Sequence, residues 1–206
     1  SYHTVGRTGK YTSIEITDNS FTNMNNATWY RRGVSLYNAA LGGGTAGEIV
    51  APVVKRNTIS GTGVANNFGI QLIGYVTNAD IQNNAISGLD YGVYAYTGPN
   101  GVTAYPSGTT ASRNSITSCA SKAVRWNGTG DFNASGNWWG AAPPVWGSIL
   151  MGSVDYTPWC QLVGTYDSPG YTPNMSQLKV EWASPQTGLV GRIQEGVDME
   201  VGSTVN

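Results

Sequence analysis

The sequence predicts an all-β fold, a solenoid of about five to six stacked coils whose parallel strands lie side by side. Three observations favour this class. A short motif recurs five times, a second strand-like segment follows each of the first four copies, and sustained helical periodicity is absent from this region. Motifs that recur every ~20–50 residues with variable insertions are typical of solenoids, because surface loops absorb the differences in length.

The recurring motif is a small apolar residue, two variable residues, an Asn, one variable residue and a large apolar residue. Its Asn residues follow one another at steps of 38, 27, 30 and 23 residues. Asn tolerates the left-handed backbone region, so we expect each Asn to form a bend between two inward-facing columns. In stacked coils the side-chain amides can hydrogen-bond along the stack. We interpret this ladder as structural rather than catalytic; its members are Asn19, Asn57, Asn84, Asn114 and Asn137.

The second segment of each coil alternates cleanly between apolar and polar residues, as in Gly69-Ile70-Gln71-Leu72-Ile73. Period-two alternation predicts a strand with one buried face. The outward positions of these strands would form a flat aromatic face that includes Tyr37, Ile73, Tyr94, Tyr96 and Arg125. Such a face stacks on sugar rings or packs against another subunit. The alternative is that a loop such as residues 97–109 covers it.

Composition narrows the function classes. The chain has 206 residues, 11% of them charged, and a net charge of −1 without a basic run. Binding of nucleic acid through phosphate contacts is therefore not expected. No apolar stretch approaches the length of a membrane span. We expect an extracellular protein with a surface of hydroxyls and amides, and neither cofactor nor metal.

The sequence alone does not decide whether the two cysteines form a disulfide or whether the glycosylation sequons are used. Cys119 and Cys160 either form a disulfide at the end of the solenoid or remain two separate buried thiols. Four Asn-X-Ser/Thr sequons are possible glycosylation sites, although such motifs arise often by chance in chains rich in Asn and Thr. They begin at Asn26, Asn127, Asn133 and Asn174.

The end of the repeat region carries a resemblance to a known family. The segment Ser135-Gly136-Asn137-Trp138-Trp139-Gly140 is followed by Val154-Asp155-Tyr156-Thr157-Pro158-Trp159. Together they resemble the closing coils of secreted right-handed parallel β-helix proteins, the pectate-lyase-like fold. The resemblance covers roughly residues 11–160. It implies a right-handed parallel β-helix over residues 1–166 and says little about activity, since this fold serves lyases, hydrolases, adhesins and structural repeats alike.

The C-terminal part resembles the opening of such a fold rather than its end. Residues 167–176 are rich in Pro and Gly and are predicted to be a linker, followed by an extension over residues 177–206. Leu189, Ile193 and Val197 recur at four-residue steps and predict a short amphipathic helix. A short helix followed by a strand is similar to the opening cap of a β-helix. The resemblance thus implies a circular offset, in which one copy supplies the cap of the next.

Enzymatic activity is not expected. The resemblance implies that a lyase would need clustered carboxylates for calcium with a basic residue, and a hydrolase closely set Asp residues with a His. His3 is the single histidine, and the twelve acidic residues are scattered. We therefore expect a structural protein that assembles head to tail into a filament, or one repeat of a tandem surface fibre. The alternatives are a carbohydrate-binding adhesin module or, as an enzyme, a polysaccharide lyase or hydrolase.

Overall fold

The computed structural model describes residues 9–25, 28, 30–38, 47–97, 104–200 and 204–205. Within these ranges the chain is built mostly of short β-strands, with two short helices. The all-β class predicted from the sequence is confirmed.

The elements follow the repeats in chain order. The first two repeats contain β1 (Lys10–Tyr11), β2 (Glu15–Thr17), β3 (Ser20–Met24), β4 (Arg31–Asn38), β5 (Glu48–Val50), β6 (Val53–Lys55), β7 (Thr58–Gly61) and β8 (Asn67–Gly74). The next two contain β9 (Val76–Thr77), β10 (Asp80–Gln82), β11 (Ala85–Ser87), β12 (Tyr91–Tyr96), β13 (Thr110–Ser112), β14 (Ser115–Thr117) and β15 (Lys122–Trp126). The remaining elements are β16 (Phe132–Asn133), α1 (Trp146–Ile149), β17 (Leu150–Met151), β18 (Val154–Asp155), β19 (Trp159–Asp167), β20 (Gly170–Lys179), α2 (Arg192–Met199) and β21 (Thr204–Val205).

Four parallel sheets hold the repeats together, and the neighbours within each sheet come from successive repeats. Their strand orders are β18-β16-β13-β10-β6-β2, β14-β11-β7-β3, β17-β15-β12-β8-β4 and β1-β5-β9. We call these four sheets the stack. The motif residues keep the same register from repeat to repeat: Ile81 of β10 pairs with both Val54 and Ala111. Both apolar columns of the sequence motif therefore line up across the repeats.

The core fills the inside of the stack, as the period-two pattern predicts. Ile70 and Leu72 of β8 are fully buried, and their equally buried neighbours in β4 and β12 are Val34, Leu36, Val93 and Ala95. Burial of each such aliphatic side chain stabilises the fold by about 1.5–3 kcal/mol.

The bend before each repeat Asn differs from the sequence prediction. The left-handed residue is the one that precedes the Asn, and φ lies between 51° and 71° at Asp18, Arg56, Asn83, Arg113 and Gly136. The Asn itself must keep its backbone N–H directed along the stack. In Asn57, for example, this N–H donates to Oδ1 of Asn84 at 2.9 Å. The chain therefore reverses one residue earlier.

Residues 167–176 also differ from their description as a linker, because they form the turn and most of the second strand of an antiparallel hairpin, β19–β20. The hairpin lies along the outside of the stack. The N–H of Gly170 donates to Oγ1 of Thr58 at 3.0 Å, and the N–H of Tyr171 donates to the carbonyl of Asn83 at 2.8 Å. At φ 111°, an added Cβ on Gly170 would lie 3.1 Å from Cα of Arg56, so glycine permits this close approach.

Candidate functional site

The five asparagines form one continuous column. Nδ2 of each Asn donates to Oδ1 of the next at 3.0, 3.0, 2.9 and 3.1 Å, starting from Asn19. In the interior rungs Nδ2 also contacts two backbone carbonyls, as Asn84 does with Val54 and Gln82. A buried amide with all donors satisfied holds the repeats together and has no free group for chemistry.

The predicted aromatic face lies on the outside of the sheet β17-β15-β12-β8-β4. Tyr94 is in register with Gln71 and Arg125, and Tyr96 is in register with Ile73, which pairs with Tyr37 on its other side. Tyr96 is 41% exposed, whereas Ile73 is buried. The structure therefore brings these residues together, but Ile73 offers little accessible surface.

Two further aromatic side chains join this face, and the sequence reasoning missed them. Phe68 stacks on Tyr91 at a centroid distance of 5.5 Å and meets the edge of Tyr94 at 4.9 Å. The guanidinium of Arg125 lies 5.2 Å from the ring of Tyr94. Burial raises the pKa of the Tyr94 hydroxyl, and the positive charge of Arg125 opposes that shift. Phe68 precedes Gly69, and Tyr91 precedes Gly92, so both residues lie before the apolar and polar positions that alternate. The period-two pattern therefore did not assign them to the outer face of the sheet.

The two ends of the stack are unlike, and one is closed by its own chain. Trp146 of α1 stacks on Tyr156 at 3.9 Å and meets Trp159 edge-on. Both indole N–H groups donate to Glu181. Fully buried Asp155 accepts hydrogen bonds from the hydroxyl of Ser184 at 3.0 Å and from the N–H and hydroxyl of Thr187. Asp155 thus anchors the segment that leads to α2, a role that the sequence did not indicate.

In the part of the chain that the structure describes, no element covers the opposite end. It presents the outer edges of β1, β2, β3 and β4, which are the terminal strands of all four parallel sheets. Between them lies a groove of about 760 Å³, which we call the open end; its lining includes Tyr11, Ile14, Ile16, Phe21, Val34, Leu36 and Asn38. Strand edges without a partner among the described residues, beside half-buried apolar side chains such as Ile16 and Phe21, are a template for another chain.

Two polar groups at the open end have acceptor or donor atoms without a partner among the described residues. The side chain of Asn38 is 2% exposed, yet neither its Oδ1 nor its Nδ2 has a hydrogen-bond partner in this part of the chain. Asn19 begins the ladder, and its Oδ1 accepts no hydrogen bond from a described residue, whereas Oδ1 of each later rung accepts two, as in Asn57. Burial of an unpaired amide costs about 1–3 kcal/mol, so the Asn38 amide is a destabilising feature of this end as the described residues leave it.

The C-terminal extension is only partly folded onto its own subunit. β20 packs on the stack through Met175 and Leu178, and β21 pairs with β20. Helix α2 buries Gly196 and directs Ile193 and Val197 outward, with 71% and 52% of their surfaces exposed. Leu189 and Trp182 nearby are also exposed. Burial raises the pKa of Glu195, on the inner side of this helix, and hydrogen bonds from Ser135 and Gln186 oppose that shift.

The cysteines do not form the disulfide considered from the sequence, since both are free thiols. Sγ of Cys160 lies 3.6 Å from Sδ of Met175 beneath the hairpin, whereas Cys119 packs against the core of the stack. Burial raises the pKa of each thiol to about 12. Both are therefore protonated and poorly reactive at neutral pH.

Among the sequons, Asn26 lies outside the described residues. Oδ1 of Asn133 accepts the N–H of Ser135, Oδ1 of Asn174 accepts the N–H and hydroxyl of Ser176, and Asn127 is partly buried after β15. Two of the four sequon Asn side chains thus already have local hydrogen-bond partners.

Three of the carboxylates that a catalytic site could use are engaged in separate pairs. Asp18 pairs with Arg56 at 2.6 Å, and hydrogen bonding from this guanidinium lowers the pKa of the Asp18 carboxyl. Asp80 pairs with Lys55 at 2.7 Å, and Asp131 accepts the hydroxyl of Ser153. Over the described ranges, no group of three or more His, Cys, Asp or Glu is arranged to hold a metal ion. His3 lies outside these ranges.

None of the helices in the described part of the chain is long and apolar enough to cross a membrane. In comparisons with known proteins, the chain matches no protein-family model, no curated protein and no solved structure.

Proposed function

We propose that this chain is a non-enzymatic extracellular structural protein, a right-handed parallel β-helix whose copies join head to tail through the C-terminal extension. The observation that carries the proposal is the contrast between the two ends. Trp146, Tyr156 and Trp159 close one end, while the other leaves four strand edges and an apolar groove uncovered by any described element.

The β-helix interpretation draws on the parallel sheets. Each of the first four repeats contributes one strand to each of the three larger sheets in the same order, and the asparagine ladder runs through the turn between two of these sheets. Parallel strands linked through an intervening crossover are right-handed in nearly all folds, which favours a right-handed coil.

Association between copies is favoured over closure within one copy. Met199 of α2 packs with Trp138, Cys160 and Met175 near the last repeat, four repeats away from Asn19. At a strand spacing of ~4.8 Å, the open end lies about 20 Å away. Helix α2 cannot reach it while β21 stays paired with β20. A heterologous contact of this kind, repeated, produces an open filament or a fibre of tandem repeats.

The test compares the chain with a form truncated after residue 190, which removes α2 and β21 but retains the hairpin. We expect electron microscopy and light scattering to show filaments or concentration-dependent oligomers of the full chain alone. Circular dichroism of both forms confirms that the stack is intact. Single copies of the full chain at all concentrations would contradict the proposal.

A second candidate function is binding of polysaccharide on the aromatic face. Its support is the cluster of Phe68, Tyr91 and Tyr94 with Arg125, because aromatic rings stack on sugars and a guanidinium donates to their oxygens. Replacement of Tyr94 and Tyr96 by Ala should reduce retention in affinity electrophoresis against a polysaccharide panel. The matched control replaces Tyr75 and Tyr105, each 43% exposed. Equal retention of all forms would rule out this face.

A further inference from the structure

We infer that helix α2 of one copy packs into the open end of the next copy as a helix in a groove, rather than as an added strand. This inference rests on the proposed head-to-tail assembly and names the element that forms its joint. An alternative joint would be the addition of a strand from the extension to an open sheet edge of the next copy. The structure favours a different contact, because the strands of this extension already have partners within their own copy.

Each strand of the extension already has a backbone partner within its own copy. β20 pairs with β19 on one side and, through Gln177 and Leu178, with β21 on the other. Leu178 is fully buried against the stack. What remains without an apolar partner is the outer side of α2, where Ile193 and Val197 lie one turn apart, and the exposed Leu189 before it.

The open end has the size and chemistry for such a helix. An eight-residue helix is ~12 Å long, and the groove of about 760 Å³ has the half-buried Ile14, Ile16 and Phe21 among its apolar lining. An amphipathic helix seated in an apolar groove is a recurrent recognition mode, with anchors at positions i and i+4.

Charge favours a second copy over a lipid surface as the partner. Residues 180–200 contain Arg192 and four carboxylates, Glu181, Glu195, Asp198 and Glu200, and anionic lipid would repel them. The first repeat, residues 9–38, has three cations and two carboxylates. Arg31 begins the edge strand β4, is exposed and has no ion pair among the described residues. It is placed to attract the acidic side of an incoming α2.

The experiment introduces Ile193→Asp and Val197→Asp together in the full chain. The matched control introduces Leu162→Asp and Val163→Asp, two exposed aliphatic residues of the hairpin. Light scattering and sedimentation measure assembly over a concentration series. We expect the helix variant to associate about 100-fold more weakly, since two apolar anchors lose their burial, and the hairpin variant to assemble as the unsubstituted chain does.

Covalent trapping tests the geometry independently. Ile193→Cys and Ile14→Cys, made in separate chains and mixed under mild oxidation, should give a disulfide-linked dimer, whereas Ile193→Cys mixed with Ser148→Cys should not. Assembly of the helix variant at unchanged strength, equal weakening of the hairpin variant, or no trapped dimer would overturn the inference while the axial assembly stands. Absence of assembly by the unsubstituted chain would overturn both.

Discussion

At the scale of single residues, the asparagine ladder shows how one repeated side chain sets the register of a fold. Nδ2 of Asn84 reaches a carbonyl of its own turn, a carbonyl of the preceding repeat and the amide oxygen of the next rung. Each of these groups is buried, so each would lose water without a replacement if the amide were removed. The ladder therefore favours one register and disfavours a slipped stack.

Replacement of Asn84 by Asp tests this role with almost no change in shape. The carboxylate cannot donate, so the carbonyls of Val54 and Gln82 and Oδ1 of Asn114 lose a donor within the core. We expect the free energy of unfolding, measured with urea, to fall by at least about 3 kcal/mol. The exposed Asn25→Asp is the control, with an expected change within about 0.5 kcal/mol. Similar losses for both variants would contradict the structural role of the ladder.

The left-handed residue before each rung offers a second test. Arg113 has φ 60° and is exposed, while Gly136 holds the same position in the next repeat with φ 71°. Arg113→Gly should raise the free energy of unfolding by about 0.5 kcal/mol, because relief of strain exceeds the entropy lost by a flexible glycine. Gly136→Ala should lower it, because the new Cβ would lie 2.5 Å from Cε of Met199. Opposite signs in urea unfolding are the expected result.

At the scale of elements, the repeat explains what sequence alone could predict. Five copies of one motif define the inward columns and the ladder, because an ambiguous assignment in one copy can be resolved by comparison with the other four. The hairpin β19–β20 has no such copy to compare with, and its Pro169, Gly170 and Pro173 are also typical of linkers. Its position depends on distant contacts, such as the hydroxyl of Tyr166 with that of Ser115 at 3.0 Å, which no local pattern encodes.

The hairpin also buries a thiol that makes the free energy of unfolding fall at alkaline pH. Burial beneath it raises the pKa of the Cys160 thiol from 9.0 to about 12. The folded state then holds a proton that the unfolded state releases, so this contribution is complete below pH 9 and is lost as pH rises toward 12. The expected slope from this thiol is at most about 1.4 kcal/mol per pH unit.

Urea unfolding between pH 8 and 11 measures this slope. Cys160→Ala should flatten the decline, whatever it does to stability at pH 8. Met175→Leu changes the neighbouring sulfur without adding or removing a titrating group, so it should retain the original slope. A Cys160→Ala chain with an unchanged slope would show that other groups cause the alkaline loss, such as the buried hydroxyl of Tyr171, whose pKa burial also raises.

At the scale of the whole molecule, the unlike ends were only partly predictable. Sequence resemblance suggested that cap-like elements sit at the C-terminal end of the chain, and the structure places α2 there with Ile193 and Val197 exposed. Buried hydrogen bonds to Asp155 anchor the segment that leads to α2, and the amide of Asn38 has no partner among the described residues. Both features depend on contacts between residues that are distant in the sequence. The spacing of residues in the sequence does not predict such contacts.

An open end that a neighbouring copy covers makes thermal stability depend on protein concentration. Association that involves only folded copies stabilises them by about 2.7 kcal/mol at a hundredfold excess over the dissociation constant. For a chain of this size that corresponds to a rise in Tm of about 5–10 °C. Differential scanning fluorimetry across this concentration range should show the rise for the unsubstituted chain and a constant Tm for Ile193→Asp with Val197→Asp. If the Tm of both chains rose equally, stabilisation would arise from a contact other than the one between α2 and the open end.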